Sequence, residues 1–249
     1  MATHTLTTLA TAAALLAAVG STARSQPPAP QPPETPPTHT QPADAAPDPV
    51  LPHVRIDRQQ QVVELDATVV QPTEEWIELL ACSPKTYQYE SLLTVHARPN
   101  HVHLALLLIG LEPGRPMSWH EEDGRYVIDP PQGPGVAVTL VYEKQGQTVE
   151  VRANEWIVHI ETGDMMPNNH WLFAGSTFRQ IDDQEVYAAD VSGAVLSLVN
   201  FGSDVLARPT DISNKGGGAM WTANEAVIPP ADTPVIIRLR PVEDQHPQE

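Results

Sequence analysis

Six side chains able to bind, attack or shuttle protons fall within 22 residues: Cys82, Lys85, Glu90, His96, His101 and His103. Arg98 and Asn100 lie among them. Three chemistries fit these types. Cys82 with a histidine as base and Glu90 as its orienter is the arrangement that makes a thiolate available near neutral pH. Thiol, imidazole and carboxylate are also zinc ligands, provided three or four of them converge tetrahedrally. Lys85, Arg98 and His101 around a helix start would instead receive an anion, drawn by the free N–H groups and the dipole. A structural reading competes with all three. In it Asn100 caps the helix, Arg98 or Lys85 pairs with Glu90, the histidines satisfy backbone carbonyls, and Cys82 is a small core side chain. Spacing already weighs on the choice, because His101 and His103 are two apart and point to opposite sides of a helix. No catalytic-cysteine signature surrounds Cys82.

The elements that must position these groups are two strands and a helix. Residues 76–82 (WIELLAC) and 89–97 (YESLLTVHA) predict a pair of strands separated by Ser83-Pro84-Lys85, whose proline suits a turn. Residues 100–111 (NHVHLALLLIGL) predict a helix: Pro99 precedes it, Asn100 can cap it and Gly110 can end it. Apolar residues cover most of its circumference, so burial on nearly all sides is expected, and Leu107→Asp should be costly.

The rest of the folded part reads as strand. Residues 54–57 and 61–70 predict an N-terminal hairpin, and further strands are expected at 136–143, 148–152, 156–161, 170–173, 185–189, 194–200 and 235–239. Gly146 and Ser192-Gly193 read as hairpin turns. Weaker motifs fall away on inspection. Asp182-Asp183 with Glu185 lacks the glycine and ligand spacing of a calcium loop, and Lys215-Gly216-Gly217-Gly218 lacks the order of a phosphate loop. Gly175-Ser176 lacks the frame of a nucleophile elbow. Trp156 and Trp171 sit in apolar strands and read as core.

Composition bounds the function. The 249 residues carry 14 Lys+Arg against 31 Asp+Glu, for a net charge of −17, with no basic block. Nucleic-acid binding, which needs clustered cations, is excluded on that count. One cysteine excludes an internal disulfide framework, a zinc ribbon and a cysteine-held iron–sulfur cluster. Residues 1–25 read as a secretory signal: an apolar run at 9–19, too short to span a bilayer, then small residues before Ala23-Arg24-Ser25. Residues 26–52 hold 11 prolines and read as a disordered, Pro-rich linker, extended and solvated. Residues 53–249 are long enough for one substantial core and hold all but three of the acidic residues.

Certain runs are similar to a known family. Glu78-Leu79-Leu80-Ala81-Cys82, Tyr89-Glu90-Ser91, Ala97-Arg98-Pro99-Asn100-His101-Val102-His103 and Leu106 through Leu111 resemble the YdjY-like domain family of exported bacterial proteins. Trp171 through Ser176, Tyr187 through Gly193, Asn200-Phe201 and Pro229 through Pro241 extend the resemblance to residues 53–241. It implies export but supplies no established activity. Some members are described as ferredoxin-like, a cluster that a lone Cys82 cannot hold. Where the family shows Lys-x-His-Glu-Ser, this chain has Tyr89 before Glu90-Ser91 in place of the histidine.

These observations predict a β-rich α+β domain, with one or two antiparallel sheets and one buried helix, behind an export signal and a linker. The expected role is a non-catalytic extracytoplasmic module, periplasmic, envelope-associated or secreted, that binds a small molecule or an envelope protein. It would have no cofactor and no transmembrane segment in the mature chain. Candidate ligand-binding residues are Lys85, Glu90, Arg98, His101 and His103. The alternative is a metal- or thiol-dependent enzyme or redox accessory using Cys82, Glu90 and the histidines.

Overall fold

Two runs that alternate apolar and polar side chains pair as that alternation predicts: β1 (Val54–Asp57) runs antiparallel to β2 (Val62–Val69), with Val54 opposite Leu65. The computed structural model describes residues 51–72, 74–167, 169–215 and 220–242. The expected export segment, the proline-rich stretch up to Val50 and the glycines at 216–218 lie outside those residues.

After the hairpin come β3 (Leu79–Cys82), a 3-10 turn (Gln88–Glu90), β4 (Ser91–Val95) and α1 (Pro99–Leu108). The hairpin β5 (Ser118–Glu122) and β6 (Arg125–Asp129) precedes the long β7 (Gly135–Lys144), which turns through Gln145-Gly146 into β8 (Gln147–Arg152). Then follow β9 (Ile157–His159), β10 (His170–Phe173), a hairpin of β11 (Phe178–Ile181) and β12 (Gln184–Tyr187), and α2 (Ala188–Ser192). The described residues finish with β13 (Ala194–Ser197), β14 (Leu206–Ala207), β15 (Trp221–Ala223) and β16 (Pro234–Pro241).

Neighbour by neighbour, the pairings run β2, β16, β7, β10, β14, β13, β3 and β4, and then return from β4 to β2. The sheet therefore closes into a barrel. Alternation sets which side chains enter it. Along β2, Val63, Leu65, Ala67 and Val69 point in, while Glu64 and Asp66 point out. Val136, Val138 and Leu140 of β7 and Ile237 and Leu239 of β16 meet them inside, with Trp171 and Phe173 from β10. Outside, Arg55, Glu64, Asp66, Arg238 and Glu150 form an ion-pair ladder across the strands, with contacts of 2.5–3.1 Å.

Three expectations are corrected. β3 and β4 do not form a hairpin: they lie parallel, with Leu79 opposite Ser91 and Cys82 opposite Thr94. The loop 83–90 carries the chain back along the barrel wall, shorter than the dozen or more residues that parallel connections usually take. Both strands are buried on both faces, so no alternation was present to fix their direction. Ser192-Gly193 is likewise not a hairpin turn. Gly193, at φ +78°, ends α2, and β13 pairs with β3 and, in parallel, with β14.

The helix is the third. α1 lies across the end of the barrel where β4 finishes and β2 begins, and Arg58 Nε and Gln61 Nε2 donate to its last carbonyls, of Leu108 and Ile109. Val102, Ala105, Leu106 and Ile109 enter the core, whereas Leu104 and Leu107 are 41% and 39% exposed. A uniformly apolar helix hides its buried face from periodicity. A charge at Leu107 meets water, so Leu107→Asp loses the large cost expected of it, and Leu106, fully buried, is the position where a charge would be costly. Asn100 is not the cap either. Arg98 holds that place without a side-chain bond, and Asp190 of α2 accepts the Asn100 N–H at 2.9 Å.

Candidate functional site

The barrel divides the cluster that the sequence brings together. Glu90 stands where β4 starts and His96 just past where it ends, six residues of extended chain apart, or about 20 Å. Glu90 thus cannot orient a histidine at the helix end. Cys82 is fully buried beneath the loops 83–90 and 198–205, beside Leu79, Ala194, Val199 and Phe201. Burial raises its thiol pKa, outweighing hydrogen bonds with Ser91 and Thr86. A thiol in that setting is packing, not a nucleophile.

The histidines are held separately. His96 is exposed, with Nε2 2.8 Å from Thr68 Oγ1. His103 is half-buried, its Nδ1 3.0 Å from the Gly175 carbonyl and 2.9 Å from the Tyr187 hydroxyl, and it meets Phe173 edge-on. Burial lowers its pKa and keeps the ring neutral near pH 7. It satisfies a backbone carbonyl, as the structural reading has it. His101 is half-buried in α1, and its Nδ1 has no hydrogen-bond partner among the described residues. Lys85 is exposed at φ +65°, with its N–H on Gln88 Oε1. Neither Lys85 nor Arg98 makes an ion pair with Glu90. Among the described residues, no three His, Cys, Asp or Glu side chains are placed to hold a metal ion.

A cavity of about 250 Å³ does open at the start of α1, lined by Ser83, His96 and Arg98. Asp190 lines it too, and its carboxylate already occupies the helix N-terminus. The anion expected there is therefore part of the protein, and a second one would meet its charge.

The opposite end of the barrel holds the stronger candidate. A groove of about 470 Å³ runs between the end of β2 and the segment that leads from β15 to β16. Val69 and Leu92 are buried at its floor, Ile228 packs on the core beside them, and Pro229-Pro230 form one wall. Glu74, Glu75 and Glu225 stand exposed on its rim. The sequence carried hints of it, in Glu74-Glu75-Trp76 and in Pro229-Pro230, but these lie about 150 residues apart, and only barrel closure brings them together.

Behind the rim, the Glu74 N–H donates to the Tyr89 carbonyl and the Glu78 N–H to the Glu90 carbonyl. Glu90 is 7% exposed. Its pKa is pushed up to about 7, first by burial, then by Glu78 and by Glu74, against a hydrogen bond from Tyr89. The folded chain therefore keeps a proton that the unfolded chain releases near pH 4.5, so stability falls as pH rises from there through about 7. Glu90→Gln removes this penalty. Its unfolding free energy should exceed the parent's by about 2 kcal/mol at pH 8 and match it at pH 4. Thermal melts across that range check this, and a pH-independent difference would assign Glu90 a packing role alone.

A second buried acid was not foreseen. Asp204 is fully buried and accepts from Ser197 Oγ and from the Phe201 and Gly202 N–H groups. Nearby, Asn200 bonds both the N–H and the carbonyl of Arg208, whose guanidinium lies 5.1 Å from the Trp171 ring. Asn200-Phe201-Gly202-Ser203-Asp204 is a turn-rich string, the one signal that could have marked it.

The YdjY domain family model matches residues 54–240. No curated protein and no solved structure matches the chain.

Proposed function

This chain belongs to the YdjY domain family, and from that premise we propose that it is a non-catalytic binding module of the cell envelope, working outside the cytoplasm. Its ligand is a small molecule or an envelope protein. The observation that carries the reading is the open groove at the end of the barrel opposite α1, walled by Pro229-Pro230 and floored by core residues. Concave sites with an apolar floor and a few polar groups are where ligands bind. Export is supported by the apolar run at 9–19, and the proline-rich stretch after it suits a spacer. The buried, proton-retaining Cys82 and the separation of Glu90 from the histidines count against thiol chemistry.

Native mass spectrometry on protein recovered from the exported fraction tests this. The expected result is a mass beginning near Gln26 with a discrete bound increment or a co-recovered protein. Ala231→Trp, at an exposed position on the groove wall, should abolish the increment without lowering Tm. A bare mass in parent and variant alike would overturn the reading.

A further inference from the structure

We infer that the groove docks a lysine- or arginine-bearing extended segment of another envelope protein. The inference rests on the binding-module reading above and names its partner by charge and shape.

Charge selects the cation. Glu74, Glu75 and Glu225 rim the groove, and among the described residues no Lys, Arg or His lines it. Glu78 and Glu90 stand just behind, tied to the same segment through backbone hydrogen bonds. Among the described residues, the ion pairs involve His53, Arg55, His120, Arg152, Arg238 and Arg240 and their partners, and none involves these five carboxylates. The contrast with the outer barrel face is direct. There the acids Glu64, Asp66 and Glu150 are matched by Arg55 and Arg238 within the chain, whereas at the groove the matching charge has to come from outside. Like charges crowded at a low-dielectric rim repel: after burial, Glu78 and Glu74 both push the Glu90 pKa up, whereas burial alone raises that of Glu78. A cation docked at the rim relieves that repulsion.

Shape selects an extended segment. The groove is an open trough along the barrel's end, with apolar floor below and acids above. That arrangement suits a chain that alternates an apolar side chain turned down with a basic one turned to the rim. A phosphate or an anionic lipid surface meets only repulsion here.

The test uses the full exported chain and a fluorescent octapeptide alternating lysine and valine, read by anisotropy. Binding should be saturable, and raising salt from 20 to 200 mM should weaken it about tenfold. The triple variant Glu74→Gln, Glu75→Gln, Glu225→Gln should weaken it by a similar factor of about ten while its melting curve stays that of the parent. A peptide with glutamate in place of lysine should not bind. Equal binding of the lysine peptide to parent and triple variant would overturn the inference. So would full displacement of the peptide by equimolar spermidine, which would reassign the groove to small amines. If the triple variant keeps the natively bound increment that Ala231→Trp loses, the groove is a binding site but its occupant is not basic. If neither variant changes anything, the binding-module reading has failed as well.

Discussion

Replacing Asp204 by alanine should lower the unfolding free energy by about 4 kcal/mol, or roughly 8–16 °C in Tm for a domain of this size. The carboxylate is the acceptor for a hydroxyl and two backbone N–H groups inside the barrel wall. Truncation leaves those donors buried and unpaired, each at a cost of about 1–3 kcal/mol. One opposing effect is removed with the side chain. Burial lifts the Asp204 pKa from its ordinary 3.8 to about 6 despite its donors, so the ionised form is itself unfavourable. The parent therefore loses stability as pH rises from 3.8 through about 6, while the variant has no such loss. The gap between them should be widest below pH 4 and narrower at pH 8. Thermal melts at those two pH values check both the size and the trend. A variant melting within about 2 °C of the parent would show that the loop 198–205 is held by something else.

Gly133→Ala should cost as much or more. Gly133 sits at φ +150°, where an L side chain is strained, and a Cβ there would lie 2.2 Å from the Phe173 carbonyl oxygen. Gly114 faces the same crowding, its Cβ 2.0 Å from the Gln132 oxygen. Three backbone segments are in contact here. Gly114 donates to the Phe173 carbonyl, Phe173 donates to Pro134, and Arg115 and Gln132 exchange hydrogen bonds. One methyl group must push main chain away from main chain, with no flexible side chain to absorb it. We expect a loss of about 4–5 kcal/mol or failure to accumulate as folded protein. Gly146→Ala is the control. Gly146 also has positive φ, at +76°, but nothing lies within 4 Å, so that variant should lose about 1 kcal/mol and remain folded. If the two variants melt together, contact at Gly133 is not what requires glycine there.

Local rules made much of this fold legible. Alternation places β1, β2, β7, β8 and β16 within a residue or two, because each has one wet face and one dry face. The same rule fails for β3 and β4. Their outer faces are covered by the loops 83–90 and 198–205, where Tyr87 packs on Phe201 with ring centroids 5.2 Å apart. A strand dry on both sides carries no mark of its direction, so a parallel pair passed for a hairpin. Helix α1 failed similarly, since Leu104 and Leu107 are as apolar as the residues that enter the core. The candidate site was misplaced for a related reason. Closeness in sequence put Glu90 with the histidines, but an intervening strand is a rigid spacer of fixed length. The groove was invisible because its two walls come from opposite ends of the domain. The thiol, by contrast, was readable: Cys82 ends an apolar run and proves to be core.

The place of β16 in the ring has a consequence for the order of events when the chain is made. This strand is the last in sequence among the described residues, yet it lies between β2 and β7, and it pairs with residues 63–68 from about 170 positions away. A ribosome releases β2 early and β16 last. Until residue 241 has emerged, β2 and β7 each lack one neighbour and the barrel stays open. Closure of the ring therefore waits for this strand. The cost is a slow final step dominated by long-range pairing.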